Sequence, residues 1–522
     1  MFNPIYDPFF PCRTNGNTTR VPMREILLGN IRANPSHPDP ALNAFLRYVP
    51  SEFLQSLNLK LDREEWIDLI NNGVESGYME SYRQQVEARL EDMKDVFALH
   101  PDKNGFFQHA DVRTQKNLKT DLDALLIFGT SGNNPVHHRV NGSLKQLCVP
   151  CVLTALMQHN NFCLAGTVGH SNFRGQTCYL CMIHEDDPFR RMLLNTWFPG
   201  ISDAEPKQYG WDRPAGADDL PTWIRPGKAG KEGVKEGASD VGLRRAVFYT
   251  PRHAFFDTEH DTGRCDLCGQ TSDKLVRRYY WERYGHKLNT KGVTVRHPTQ
   301  AVYTDEKNLT LPVNYNPSVW RNLGALVVKN FNSGKLKFDP APLVAQFKGA
   351  NNNESFLTLE LMAFEANQAK LLNFHHDKLR LPVFAEDSDI RFFYENVERF
   401  TSAAAQMLNA FRRCGTADKQ RKQIQLASVN DAHGTLTQRF GEETLSSLER
   451  FRAVFDPQDE NEMVDRMKER LEKFGQEIRG EFEHICQKEY SWDNVKAQKK
   501  LAGQKHMLAG VLRKILNEFE GE

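Results

Sequence analysis

Three Cys-x-x-Cys pairs are the residues of this 522-residue chain whose type and spacing most readily suit chemistry. The pairs are Cys148/Cys151, Cys178/Cys181 and Cys265/Cys268. In a chain without signs of secretion, such pairs bind a metal ion more often than they form disulfides. Gly269 follows the third pair and lets the backbone turn tightly, so both thiolates can face one ion. The first pair opens a predicted helix, which also suits two neighbouring ligands.

The middle pair is the poorest source of metal ligands. Cys178 and Cys181 lie in a strand-like run, where positions three apart point to opposite faces. Tetrahedral zinc needs four ligands, and the other two pairs supply them. We predict one structural zinc ion, with no open position for water, held by Cys148, Cys151, Cys265 and Cys268. Positions 151 and 265 are 114 apart, so the ion would cross-link distant segments; buried thiols without metal are the alternative.

Sequence signatures of catalysis are broken or weak. Residues 169–173 begin like a nucleophile elbow but lack its last glycine, and residues 227–230 are not followed by the Gly-Lys-Ser/Thr of a phosphate loop. We therefore expect a protein that is not an enzyme and has no catalytic residues. The alternative is a zinc-dependent nuclease or metal phosphohydrolase acting on nucleic acid through the region of His297 or His376.

The charge pattern bears on nucleic-acid binding. Lys plus Arg and Asp plus Glu number 67 each, which counts against a protein that coats nucleic acid by bulk positive charge, since such proteins are usually basic. Between positions 271 and 300, however, the sequence contains seven basic residues and only two acidic ones, with four aromatic residues among them. Such a patch can neutralise phosphates and stack on bases. A solvated sheet face with a few core aromatic residues is the alternative.

Hydropathy and composition bear on the compartment. No run of the sequence approaches the roughly 18 consecutive apolar residues of a membrane span. The first residues lack the basic opening and apolar run of a signal peptide. With 40% hydrophobic and 26% charged residues, the chain is typical of globular proteins. We expect a cytoplasmic protein that does not associate with membranes.

The pattern of predicted helices and strands changes near residue 386, which divides the chain into two predicted domains. Up to residue 386, helical and strand-like patterns alternate, and a polar stretch at 129–146 has no hydrophobic period, so it is predicted as a loop. Apolar residues then recur at helical spacing through 390–411, 435–455, 460–490 and 492–519. The predicted fold class is α+β, with a large mixed α/β domain at 1–386 and a four-helix bundle at 387–522.

Residues 355–374 predict a hairpin. Leu357, Leu359 and Leu361 alternate with polar residues, and Leu372 and Phe374 resume the alternation. The polar residues 365–369 lie between the two runs. Two strands with an exposed tip explain this pattern. A continuous helix is the alternative, because Ala, Glu, Gln and Leu are good helix formers.

Seven features occur in an order that resembles one family. They are residues 5–11 (IYDPFFP), the Cys148/Cys151 helix start, residues 221–226 (PTWIRP), the Cys265–Gln270 knuckle, His297-Pro298, Asn367-Gln368-Ala369 and His376-Asp377. Over essentially the full chain, this order resembles the CasA family, the large subunits of type I-E CRISPR Cascade complexes. The resemblance implies a mixed α/β domain with a structural zinc ion, followed by a four-helix bundle.

The resemblance also implies a function in antiviral defence. In that family the subunit recognises the protospacer-adjacent motif in double-stranded DNA, mostly from the minor groove. It then helps to start the strand separation that forms an R-loop, and recruits a helicase-nuclease. The implied partners are the other Cascade subunits, the CRISPR RNA, the target DNA and the helicase-nuclease.

The resemblance assigns roles to particular residues. Asn367, Gln368 and Ala369 match the family's wedge, whose support must be exposed and stiff because unstacking a base step costs a few kcal/mol. Gly166 and Gly169 match its minor-groove loop, in which Thr167 and Val168 are bulkier than the pattern, so the motif that is read stays open. Arg283 or Lys287 takes the place of its lysine finger, and His137, His138 and Arg139 fall in its loop for guide RNA and neighbouring subunits.

Overall fold

A computed structural model gives the fold over most of the chain. It describes residues 1–14, 16–127, 142–162, 178–201, 205–211, 219–227, 229–230, 233–289, 295–314, 319–350, 355–367, 370–416, 423–459, 461–490 and 494–521. Within these ranges, no helix combines the length and the apolar character needed to cross a membrane.

The described residues form two compact units. The first contains residues 1–315, 340–352 and 358–379, and the second contains 316–339, 353–357 and 380–522. The division into domains at residue 386 stays a prediction, from which these units differ because two earlier segments belong with the C-terminal helices.

Helices and short strands alternate along the first unit. In both units, the α-helices of the described residues are α1 (Met23–Leu27), α2 (Pro40–Leu46), α3 (Val49–Leu57), α4 (Arg63–Asn72), α5 (Met79–Asp92), α6 (Lys94–Phe97), α7 (Val149–Phe162), α8 (Pro188–Leu194), α9 (Leu243–Val247), α10 (Gly324–Val327), α11 (Pro342–Ala350), α12 (Asp387–Gly415), α13 (Val429–Ala453), α14 (Asn461–Glu489) and α15 (Val495–Gly521). The strands are β1 (Phe10–Thr14), β2 (Asn17–Val21), β3 (Leu118–Lys119), β4 (Leu147–Cys148), β5 (Leu180–Ile183), β6 (Ala229–Gly230), β7 (Gly233–Gly237), β8 (His253–Phe256), β9 (Gly263–Arg264), β10 (Thr271–Ser272), β11 (Leu275–Val276), β12 (Tyr279–Glu282), β13 (His286–Asn289), β14 (Val302–Thr304), β15 (Thr310–Pro312), β16 (Phe331–Ser333), β17 (Leu336–Asp339), β18 (Phe356–Asn367) and β19 (Lys370–Pro382).

The sheets of the first unit are small. β1 pairs with β2, β4 with β11 and β9 with β10, while β8, β12 and β3 form one three-stranded sheet and β5, β18 and β19 another. β7 lies between β6 and β13 and is parallel to β13. Because sheets this small bury little surface, aromatic packing supplies much of the core. Phe53 lies 5.3 Å from Phe97 and 5.4 Å from Phe106 between ring centroids, and Trp223 lies 5.3 Å from Phe106.

Local sequence signals explain where several helices begin. Asp39 accepts hydrogen bonds from the first free N–H groups of α2, and Pro40 at its first position needs no such partner. Asp62 and Glu65 form a reciprocal capping box at the start of α4, and Gly73 directly follows its last residue. Both helices lie in the first unit.

The four long helices predicted at the C-terminal end are confirmed as α12 to α15. Their apolar residues face one another at helical spacing. Phe440 of α13 packs against Phe400 of α12 and Phe474 of α14, with ring centroids 5.4 and 4.3 Å apart. Phe411 of α12 contacts Phe482 of α14. The mixed α/β class with a C-terminal helical bundle is therefore confirmed.

Candidate metal centre and nucleic-acid interface

The four predicted cysteine ligands lie together in the fold. The sulfur atoms of Cys148, Cys151, Cys265 and Cys268 all lie within 4.8 Å of one another. The Sγ atoms of Cys148 and Cys268 are 3.9 Å apart, far beyond the roughly 2.05 Å of a disulfide. Tetrahedral zinc with Zn–S bonds of about 2.3 Å places its sulfur ligands about 3.8 Å apart. The spacing and chemistry of these thiols therefore fit a closed zinc site.

Hydrogen bonds of Asp266, from both its side chain and its backbone, hold the two distant pairs together. The carboxylate of Asp266 accepts hydrogen bonds from the backbone N–H groups of Lys145 and Gln146, at 2.7 and 2.8 Å. The N–H of Asp266 in turn donates to the carbonyl of Gln146 at 3.0 Å. These residues lead directly into Cys148, whose strand β4 pairs with β11. Asp266 thus fixes the knuckle beside the start of α7.

The knuckle itself is a tight turn between β9 and β10. The N–H of Cys265 donates to the carbonyl of Gln270 at 2.9 Å, and the N–H of Gly269 donates to the carbonyl of Cys265 at 2.8 Å. Gly269 has a φ of +74°, which side chains other than hydrogen rarely allow. The role predicted for this glycine is confirmed, because the turn brings both thiols to one side.

Two residues near the thiols were not predicted. Arg20 of β2 donates from Nη2 to the sulfur atoms of Cys268, Cys148 and Cys151, at 3.0, 3.1 and 3.4 Å. His37 accepts the N–H of Asp39 on Nδ1, so its protonated Nε2 faces the sulfur of Cys151 at 3.6 Å. Both therefore place donors against the sulfur atoms.

These contacts favour thiolates at Cys265 and Cys268. Although the hydrogen bond with Cys151 opposes it, hydrogen bonds to Cys265 and Cys268 together with burial raise the pKa of Cys148, and hydrogen bonds to the other three thiols and burial raise the pKa of Cys151. Hydrogen bonds from the Cys148 and Cys151 thiols lower the pKa of Cys265 to about 6 and also lower that of Cys268. The nearby charge of Arg20 further lowers the pKa of Cys268. Although burial opposes it, the thiolates raise the pKa of the Arg20 guanidinium. The thiolate is the form that binds a metal ion.

The pair Cys178/Cys181 lies apart from this centre. Both side chains are buried, and Cys181 is in β5, where its residue pairs with Leu361 of β18. Burial raises the pKa of Cys181 to about 12, which disfavours a thiolate. Over the ranges that the structure describes, neither cysteine belongs to a group of three or more metal-ligating side chains.

The predicted hairpin at 355–374 is confirmed as β18 and β19, and the alternative of a continuous helix is wrong. Asn367 is the last residue of β18, and Lys370 is the first of β19. Gln368 and Ala369 lie outside the described residues. Below the tip, the ring of Phe364 packs 4.8 Å from Phe374 and 5.0 Å from Phe162 of α7, so aromatic contacts stiffen the two strands.

The two residues predicted in place of the lysine finger lie on either side of a turn. Arg283 is exposed directly after β12, and its guanidinium lies 4.8 Å from the centre of the Tyr284 ring. Lys287 is half-buried in β13, next to β7. Arg283 is therefore the better exposed of the two.

The basic patch predicted between 271 and 300 is smaller than its composition indicates. Arg277 forms ion pairs with Glu259, at 2.5 Å, and with Asp261, at 2.6 Å. Arg296 is buried and donates to the backbone carbonyl of Gln300 at 2.9 Å. Two of the seven basic side chains are thus committed to contacts within the protein.

Other predicted site residues lie outside the described ranges. They are Gly166 and Gly169 of the minor-groove loop, and His137, His138 and Arg139 of the guide-RNA loop.

The residues behind the enzyme alternative do not form a metal site in the described part of the chain. His375 contacts Glu365 at 2.9 Å and His376 contacts Glu360 at 2.6 Å, while His297 contacts Thr299 at 2.8 Å. None of these histidines belongs to a described group of three or more metal-ligating side chains.

A second group of potential ligands is buried elsewhere in the first unit. It consists of His109, His253 and His286. The rings of His109 and His253 are stacked 3.6 Å apart and inclined by only 4°. Imidazole nitrogens bind metals in the plane of the ring, so these two rings are not oriented to share one ion. Their hydrogen bonds, including 2.9 Å between His253 and His286, indicate a packed internal network.

The chain is similar to known proteins over nearly its whole length. Residues 3–480 match the model of the family described as CRISPR-associated protein Cse1. Three solved structures are similar over nearly their full lengths. CasA (Cse1) of Thermus thermophilus has 16% identity and a TM-score of 0.65, with 98% of this chain and 99% of that one covered. Cse1 of Thermobifida fusca has 15% identity and a TM-score of 0.68, covering 99% and 98%.

The third structure is that of a CRISPR RNA-guided surveillance complex. The matching chain has 13% identity and a TM-score of 0.66, with 98% of this chain and 99% of that one covered. Identities this low show a shared fold, whereas the family model covers most of the sequence itself. In agreement with the resemblance noted in its sequence, this chain belongs to the CRISPR-associated Cse1 (CasA) family.

Proposed function

We propose that this chain is the non-catalytic large subunit of a type I-E-like Cascade complex. In this role it recognises the protospacer-adjacent motif in double-stranded DNA, starts strand separation and recruits the helicase-nuclease. Its partners are the other Cascade subunits, the CRISPR RNA and the target DNA. Membership of the Cse1 family supports the proposal, as does the similarity to a chain of an RNA-guided surveillance complex.

The observation that carries the proposal is the hairpin of β18 and β19. Strand β18 ends at Asn367 and β19 begins at Lys370, and in the sequence Gln368 and Ala369 stand between them. Two long paired strands are a stiff support of the kind that a wedge needs in order to separate stacked base pairs. We propose that Asn367, Gln368 and Ala369 form this wedge.

We assign supporting roles to the other predicted residues. Gly166 and Gly169 approach the minor groove, and Arg283 or Lys287 contacts the DNA beside the motif. His137, His138 and Arg139 contact the guide RNA or a neighbouring subunit. Zinc at Cys148, Cys151, Cys265 and Cys268 is structural, and it cross-links the start of α7 to the knuckle.

The wedge is tested by the double variant Asn367→Ala/Gln368→Ala in the reconstituted complex. R-loop formation on duplex DNA is followed by permanganate reactivity of displaced thymines. Because unstacking a base step costs a few kcal/mol, we expect opening to slow by at least about tenfold. The affinity for the closed duplex should stay within about twofold, since phosphate contacts dominate binding.

The matched control is Asn71→Ala/Gln84→Ala, which makes the same two truncations at exposed helix positions of the first unit. It should open DNA at the wild-type rate. Wild-type opening by the Asn367/Gln368 variant would refute the wedge assignment. A metal-dependent cleavage of DNA by the purified chain alone, lost in His297→Ala or His376→Ala, would instead support the nuclease alternative.

A further inference from the structure

A buried carboxylate lies at the root of the hairpin. Glu360 of β18 has no exposed side-chain surface, and its residue pairs with Met182 of β5. It lies seven positions before Asn367, a distance of about 23 Å along an extended strand. An ionised side chain in such a place requires partners, because an uncompensated buried charge is strongly unfavourable.

Both carboxylate oxygens of Glu360 have partners from other elements. Oε1 accepts hydrogen bonds from Nε of Arg47 at 2.7 Å and from Nε2 of His376 at 2.6 Å. Oε2 accepts a hydrogen bond from Nδ1 of His184 at 3.1 Å. We call Arg47, His184, Glu360 and His376 the Glu360 cluster.

The Glu360 cluster joins four separate segments of the first unit. Arg47 follows the end of α2, His184 follows β5, Glu360 is in β18 and His376 is in β19. The backbone N–H of His184 also donates to the carbonyl of Thr358 at 2.8 Å. Both strands of the hairpin are thereby tied to the body of the unit at one point.

Charges around the Glu360 cluster keep the carboxylate ionised. Although burial opposes it, the hydrogen bond from His376 and the charge of Arg47 lower the pKa of Glu360 to about 2. The other nitrogen of His184 lies 3.3 Å from Nζ of Lys378 and 3.4 Å from the carboxylate of Asp186. The hairpin is therefore held by charged hydrogen bonds, which depend on direction more than apolar contacts do.

Because the Glu360 cluster lies far from the tip, a small rotation of the strands at the cluster becomes a larger displacement at the tip. Over about 23 Å, a rotation of the root by about 5° moves the tip by about 2 Å. A displacement of this size is enough to misplace a wedge that must enter one base step. Apolar packing of Phe364 and Phe374 couples the strands to each other, and the pairing of β18 with β5 and the contact of Phe364 with Phe162 tie them to the unit. The Glu360 cluster adds the charged hydrogen bonds to this attachment.

We propose that Glu360 is the positioning residue of the hairpin. Through its contacts with Arg47, His184 and His376, it fixes the direction in which the hairpin points towards the DNA. The inference rests on the proposed function, because it assumes that the tip opens the duplex. Glu360 does not contact the DNA in this account. Its loss should therefore slow the opening of intact duplex while leaving both closed-duplex binding and the use of already opened DNA unchanged.

The test compares Glu360→Gln with wild type in the full RNA-guided complex on two DNA targets. One is intact duplex, and the other carries mismatches that pre-open the first base pairs beside the motif. On intact duplex we expect R-loop formation to slow by at least about tenfold, which corresponds to about 1.4 kcal/mol. On the pre-opened target we expect the wild-type rate.

The matched control is Glu365→Gln, the same substitution in the same strand. Glu365 also pairs with a histidine, His375 at 2.9 Å, but its side chain is 36% exposed, so little depends on the pair. This variant should behave as wild type on both targets. If Glu360→Gln does not fold, His376→Ala removes one contact from a 31% exposed side chain and should show the same pattern.

Two results would overturn the inference. Wild-type rates on intact duplex would show that Glu360 does not position the hairpin. Equal slowing on both targets would show a general structural role. Asn367→Ala/Gln368→Ala, measured in parallel, separates the two proposals: if it opens intact duplex normally while Glu360→Gln does not, the wedge assignment fails and the defect of Glu360→Gln has another origin.

Discussion

Arg20 compensates charge at the candidate metal centre. Four thiolates around one Zn²⁺ carry a net charge of about −2, and the guanidinium lies within 3.4 Å of three of the sulfur atoms. Hydrogen bonds to metal-bound thiolates withdraw charge and orient them. Arg20 also belongs to β2, so it connects the N-terminal hairpin of β1 and β2 to the centre.

We predict that Arg20→Ala weakens zinc binding by about 10- to 100-fold, the usual effect of losing an outer partner. Competition between the purified chain and a chromogenic zinc chelator measures the affinity. Arg13→Ala is the control, since Arg13 is exposed in the same hairpin and donates to the carbonyl of Gly16. Equal affinity of Arg20→Ala and wild type would contradict the assigned role.

Glu360 makes stability depend on acid pH. Its folded pKa of about 2 lies below the ordinary value of 4.5, so the unfolded chain takes up the proton first as the pH falls. The stabilisation, about 3 kcal/mol, is complete above pH 5 and is lost as the pH falls from about 5 to 2. Urea unfolding should show a smaller difference between wild type and Glu360→Gln at pH 3 than at pH 7. A pH-independent difference would contradict the ionised state of Glu360.

Site residues were predictable from the sequence when a local motif marked them, and unpredictable when their role depends on contacts with residues far away in the chain. The cysteine ligands were predictable because each Cys-x-x-Cys pair is a local signal. Arg20 was not, since it lies 128 positions before Cys148 and has no signature of its own. The contact between His184 and Glu360 spans 176 positions and depends on the pairing of β5 with β18, which hydrophobic periodicity does not specify.

Among the elements, the C-terminal helices show how closely the core is packed. Gly441 of α13 faces Trp320 of the same unit, and a Cβ atom at this position would overlap the indole ring. Gly434 lies in the same helix, with no atom within 4 Å of an added Cβ. The two glycines therefore differ in their surroundings but share one helical backbone.

We predict that Gly441→Ala destabilises the protein by about 1–3 kcal/mol through overpacking. Gly434→Ala should instead stabilise it by up to about 1 kcal/mol, because alanine favours a helix. Thermal unfolding followed by circular dichroism distinguishes these signs. If both variants melted at the same temperature, the close contact between Gly441 and Trp320 would be wrong.

Helices and strands were predictable where a hydrophobic pattern repeats regularly over many residues. Alternation around Leu359 and helical spacing through α12 to α15 identified the hairpin and the four helices. The short strands of the first unit carry too few residues for a period to emerge. The basic patch is smaller in the fold than its composition indicates, since residues near each other in sequence, such as Arg277 and Arg296, take part in different contacts.

At the scale of the whole molecule, the first unit was predictable mainly from short local motifs, and the second mainly from long stretches of helical periodicity. The first unit brings the cysteine centre and most of the hairpin onto a scaffold of short elements, whereas the second is built from long helices. Net charge counted only against coating of nucleic acid by bulk positive charge, because 67 basic and 67 acidic residues cancel. The order of short motifs along the full chain supplied what composition did not, and the family model confirms that resemblance over residues 3–480.

The most direct test of the central claim is strand opening beside the protospacer-adjacent motif, measured in the RNA-guided complex with and without this chain. Permanganate reactivity of thymines in the first 8–12 or so positions reports the opening. The account predicts reactive thymines when the chain is present, and near-background reactivity when it is omitted or replaced by Asn367→Ala/Gln368→Ala. Equal reactivity in the complex that lacks the chain would contradict the claim.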